Sequence, residues 1–64
     1  MDNSKFKRNR IIAITVMRAL IKNDYDNDII SPIMNRFHIN VSEFNIIKNN
    51  KCNTSEQTYK LIYE

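Results

Sequence analysis

Apolar residues in this chain come in blocks that repeat every three or four positions, separated by polar stretches rich in Asn, Asp and Lys. From Arg10 to Lys22 the positions Ile12, Ala13, Val16, Met17, Leu20 and Ile21 form one broad stripe at helical spacing. Continuing that helix backwards adds Phe6 to the stripe, while Lys7, Arg18 and Lys22 line the opposite side with Ile11 and Thr15 between them. The competing assignment is a strand, because IIAITV is rich in β-branched residues. Helix is preferred, since the stripe persists through MRALIK, where alternation fails. Ahead of it, residues 1–9 are polar and basic and are expected to form an N-terminal arm that frays into the helix.

The segment Asn23 to Asp28, NDYDND, has no aliphatic side chain and reads as a turn, dense in residues that hydrogen-bond their own backbone. Asp24, Asp26 and Asp28 alternate as at the start of a calcium-binding loop. Such a loop needs Gly at its sixth position and Glu at its twelfth, where this chain has Ile29 and Asn35. The acidic residues are instead expected to be solvated and to favour the positive end of the next helix. Ser31 and Pro32 give a start signal, an N-cap followed by proline at the first helical position, for a helix reaching Phe37 or His38. Asn40 opens the next helix, with Glu43 in capping-box spacing, and that helix is expected to reach Asn49. After a polar link at Lys51 to Asn53, Thr54 and Gln57 repeat the pattern ahead of a last helix bearing Tyr59, Leu61, Ile62 and Tyr63. Its alternation, TYKLIY, could also make a strand. The fold expected is all-α: three or four short helices in a single small domain spanning 1–64.

The pattern over Ile30 to Ile47, ISPIMNRFHINVSEFNII, resembles the helix-turn-helix superfamily of DNA-binding proteins. Ile33, Phe37, Ile39, Phe44 and Ile47 match its inward apolar positions, while Met34 and His38 stand where the family usually has Ala and Gly. Histidine is among the residues that can adopt the left-handed conformation the turn asks for. The resemblance implies that the second helix enters the major groove with Ser42, Asn45, Ile46 and Asn49 outward. Asn can pair with adenine and an exposed Ile can touch a thymine methyl. Glu43 near the same end would repel phosphate, and Lys48 and Lys51 are the cations nearby.

Charge supports the same direction. Residues 1–22 carry six basic side chains against Asp2, a balance of +5, whereas the remainder has four basic and six acidic, −2. Lys5, Lys7, Arg8 and Arg10 on a basic arm could lie along phosphates or reach into a minor groove; a solvated tail explains the same residues. Ile, Asn and Lys are heavily used and Gly is absent, as in an AT-rich genome such as that of a low-GC bacterium, its phage or a large DNA virus. Without glycine, left-handed positions at helix ends fall to costlier residues, and Asn23, Asn49 and Asn50 sit where helices would end.

Size limits the remaining possibilities. A 64-residue chain can bury roughly 60% of its unfolded surface, which leaves little room for a substrate-enclosing site. Cys52 is the only cysteine, so no internal disulfide forms, and a Cys/His metal site would have just Cys52 and His38. One thiol and no clear signal peptide point to the cytoplasm, or to the compartment holding the host's nucleic acid. Arg18 interrupts the apolar run after Arg10, and nothing approaches the span of about 20 apolar residues a membrane requires. The sequons at Asn40 and Asn53 are then chance matches. The single His has no partners from which to assemble a nucleophile, base and orienting group, so no enzyme and no cofactor are expected.

The expectation is a small regulator of transcription or replication that binds double-stranded DNA through Lys5, Lys7, Arg8, Arg10, Ser42, Asn45, Lys48, Asn49 and Lys51. The alternative is a non-catalytic module that binds a larger protein. A homodimer is expected with the DNA-binding reading, because Ile11, Ile46, Tyr59, Leu61, Ile62 and Tyr63 add more apolar surface than a small monomer easily covers, whereas a protein-binding module would cover that surface with its partner.

Overall fold

The computed structural model describes residues 3–64, which form four helices and no strand: α1 Asn3–Lys22, α2 Asn27–Arg36, α3 Val41–Asn49 and α4 Ser55–Tyr63. At 1.5 Å per residue the 20-residue α1 is about 30 Å long and sets the 35 Å long dimension of the molecule. The other three pack on it, most extensively α4 and least α2, and α3 also packs on α4. Polar contacts fix the winding. Arg10, early in α1, meets the end of α2, the start of α3 and the end of α4, whereas Arg18 meets the link before α4. Thus α2 and α4 return against α1, and α3 runs with it.

The arm expected over residues 1–9 is corrected from Asn3 onward, since α1 is helical from there; Met1 and Asp2 lie outside the described residues. The rest of α1 also turns by about one residue relative to the stripe read from the sequence. Ala13, Ile14 and Met17 are buried, Ile11 packs partly against the core, and Ile12 is 47% exposed. Residues 11–14 are apolar without interruption, so no polar residue marked the edge of the face.

In α2 the start lies earlier than the Ser31 and Pro32 signal. Asp26 is the N-cap, Asp28 lies in the first turn, and Pro32 sits inside the helix. Asp26 accepts from the amides of Ile29 and Ile30 through its carbonyl, closing the turn ahead of the proline. The turn therefore ends at Asp26, two residues short of the expected Asp28.

Both α1 and α2 end in the same way. Tyr25 donates to the Leu20 carbonyl and Asp24 to that of Ile21; Ile39 donates to Met34 and His38 to Asn35. This is the Schellman pattern, whose left-handed residue is usually glycine. Here Asp24, with φ 60°, and His38, with φ 56°, fill the position. Asparagine was expected there, but Asn23 and Asn50 act with their side chains instead, donating to the Ala19 carbonyl and to those of Ile46 and Ile47. The expected caps of α3 and α4 are present. Asn40 and Glu43 form a complete capping box, and Thr54 accepts from the Gln57 amide while the Gln57 side chain accepts from Asn53. TYKLIY is helical.

The core is one cluster of Ala13, Ile14, Met17, Ile30, Ile39, Ile47 and Tyr59, with Ile33, Phe37, Phe44 and Ile62 packed against it. The inward positions expected between Ile33 and Ile47 all belong to it. Thr58 is fully buried as well, its hydroxyl donating to the Thr54 carbonyl, so a polar residue fills a core site at little cost. The apolar surplus is covered in part: Tyr59 is buried and Ile11, Ile46 and Ile62 are half-buried, while Leu61 and Tyr63 stay 55% and 37% exposed.

Candidate nucleic-acid interface

The outward face of α3 is built from its N-cap. Glu43 reaches back to the Asn40 amide, and the same carboxylate accepts from the Arg10 guanidinium at 2.8 Å and from the Tyr63 hydroxyl. Glu43 is therefore turned inward, and its backbone phase puts Val41, Ser42, Asn45, Lys48 and Asn49 on the exposed side. That face carries no carboxylate. Val41, 69% exposed, was not among the residues expected there, and Ile46, which was, is half-buried. Their positions follow from the helix phase that the Asn40 and Glu43 box fixes, a signal already legible in the sequence.

Arg10 does not stand among the free cations. Its Nε donates to the Tyr63 hydroxyl at 2.9 Å, Nη1 to the Phe37 carbonyl at 2.6 Å and Nη2 to Glu43. Only 14% of the side-chain surface of each of Arg10 and Glu43 is exposed, so a phosphate could reach Arg10 only by breaking this cluster. Arg10 thus stands on a helix and not on an arm, and its guanidinium is already engaged. Burial works against the Arg10 charge, but the bonds to Tyr63 and Glu43 outweigh it and raise its pKa. Burial likewise disfavours the Glu43 carboxylate, yet hydrogen bonds from Tyr63, Arg10 and the Asn40 amide, with the guanidinium charge, hold it below its ordinary 4.5. Burial and the bond to Glu43 push the Tyr63 phenol above its ordinary 10.0 against the pull of Arg10.

Of the other expected cations, Lys5 and Arg8 are exposed on α1, and Lys51 is exposed in the link after α3. Lys7 is half-buried, with its ammonium 5.6 Å from the Tyr59 ring centre and 3.9 Å from Glu56. Lys48 is exposed but borders a depression that Asp24 also lines, so part of its field is cancelled there. The structure thus brings Ser42, Asn45, Lys48 and Asn49 together on one face, and leaves the α1 cations on a different helix. Sequence reasoning passed over Arg36, exposed at the end of α2, and read Tyr63 as apolar surface only, whereas its hydroxyl joins the Arg10 cluster while its ring packs edge-on against Phe6.

Among the described residues no group of three or more His, Cys, Asp or Glu side chains could hold a metal ion. No described helix is long and apolar enough to cross a membrane. The chain matches no protein-family model, no curated protein and no solved structure.

Proposed function

We propose that this protein is a small DNA-binding regulator of transcription or replication that lays the outward face of α3 in the major groove. The observation that carries the reading is the inward turn of Glu43, which leaves Val41, Ser42, Asn45, Lys48 and Asn49 as a face without negative charge. Asn45 and Asn49 are one turn apart and suited to adenine, Val41 offers an apolar contact for a thymine methyl, and Lys48 and Lys51 meet phosphates. His38, left-handed between α2 and α3, takes the place that glycine holds in the helix-turn-helix pattern. Lys5 and Arg8 add to the positive field from a rigid helix in place of an arm. A two-fold dimer belongs to the same proposal, and Leu61 is an apolar side chain left outward for it.

The test is fluorescence anisotropy with a labelled duplex of random sequence at two salt concentrations. With two to four phosphates neutralised, affinity falls roughly 10- to 150-fold between about 50 and about 200 mM salt. No binding at the lower concentration would remove the reading. The alternative, a module that binds another protein, gains support from the outward side of α1.

A further inference from the structure

The solvent side of α1 carries Lys5, Arg8, Ile12, Thr15, Ala19 and Lys22, all exposed, at successive spacings of three, four, three, four and three residues. That alternation places them along one face, a seam with Ile12 and Ala19 as its apolar members, where another helix could lie lengthwise. Its middle is less polar than its sequence. The Thr15 hydroxyl is engaged by the Ile11 carbonyl at 2.8 Å and by Ser55 at 2.7 Å, so it asks for no outside partner. Ala19 is small, and Ile12 stands 47% exposed between two surface depressions, each about 290 Å³, with Arg8 bordering one and Arg36 the other. The seam thus has Ile12 and Ala19 as its apolar residues, Lys5, Arg8 and Lys22 as cations toward its ends, and Arg36 and Arg18 at its flanks.

We propose that this seam docks an acidic amphipathic helix of another protein, with apolar side chains beside Ile12 and over Ala19 and carboxylates facing Lys5, Arg8 and Arg36 at one end and Lys22 at the other. Charge complementarity selects this occupant. A second copy of the chain is opposed, because α1 holds six cations and no carboxylate, and pairing it with itself in either direction sets cation against cation. A duplex is disfavoured too, since it would have to lay its phosphates over the exposed Ile12 side chain and over Ala19. The proposal rests on α1 where the DNA reading rests on α3; Lys5 and Arg8 serve both, and shifts at α3 with duplex DNA or at the seam with the peptide tell the two apart.

The experiment is ¹H–¹⁵N chemical-shift mapping of the full chain with a synthetic two-heptad peptide, Leu at the first and fourth positions of each heptad and Glu at the flanking ones. The amides from Arg8 to Ala19 are expected to shift saturably. Ile12→Asp, on an exposed site and checked for folding by circular dichroism, is expected to weaken binding at least tenfold, whereas Ile29→Asp on α2, at a side chain 46% exposed, leaves it unchanged. The same peptide with Lys in place of Glu is expected not to bind. No shifts, or shifts confined to other helices, would overturn the proposal. So would seam amides that move on dilution of the protein alone, which assigns the seam to a second copy, or seam amides that respond to duplex DNA and not to the peptide.

Discussion

His38 and Asp24 hold the left-handed positions that end two helices, where glycine would carry no steric cost. The left-handed region costs a non-glycine residue roughly 1–2 kcal/mol, partly recovered from the entropy glycine loses on folding. His38→Gly is therefore expected to stabilise the fold by about 0.5–1 kcal/mol, raising the midpoint by about 4–8 °C per kcal/mol in a domain of this size. Thermal unfolding followed by circular dichroism checks it, and a lowered midpoint would show that the imidazole contributes something the backbone account lacks. The turn at His38 was legible because its signals are local. Arg10 was not, since it is one cation among six in its half of the chain and its partners lie 27, 33 and 53 residues away. No spacing rule connects residues that far apart, so the structural partners of the guanidinium were not legible.

Among the elements, the two helices opened by polar caps were read correctly, because a cap and its partner three residues on are a complete physical unit. The start of α2 was misread because Asp26 makes no side-chain cap bond, while Ser31 followed by Pro32 imitates a stronger start inside the helix. Pro32 lacks the amide that would donate to the Asp28 carbonyl. Pro32→Ala restores it, and the gain is about 2 kcal/mol: roughly 3 kcal/mol for an interior proline, less the 0.4–1 kcal/mol that proline contributes by stiffening the unfolded chain. A urea midpoint that stays level or falls would mean that the first turn of α2 carries no strain from the proline. The phase of α1 was ambiguous for a different reason. With four apolar residues in a row, only packing against α3 and α4 decides that Ile14 goes in and Ile12 stays out.

For the molecule as a whole, Arg10 ties α1 to the ends of the other three helices, so its loss is felt everywhere. Arg10→Ala leaves the Glu43 carboxylate and the Phe37 carbonyl without their partner and is expected to destabilise by about 2–4 kcal/mol. The sign of the pH dependence follows from the shifts. The lowered Glu43 pKa contributes stability that is full above 4.5 and lost as pH falls through the depressed folded value. The raised Tyr63 pKa contributes stability that is full below 10.0 and lost as pH rises through the folded value. Denaturation from acid to alkaline pH should show a plateau between them, with the gap between the native chain and Arg10→Ala narrowing below pH 4.5. A gap independent of pH would place the effect in packing alone. The same cluster that closes the fold clears α3 of negative charge, and on this the functional account rests. Its most direct test is chemical-shift mapping with duplex DNA at low salt: the account predicts shifts concentrated at Val41, Ser42, Asn45, Lys48 and Asn49, and shifts absent from α3, or confined to Lys5 and Arg8 on α1, would contradict it.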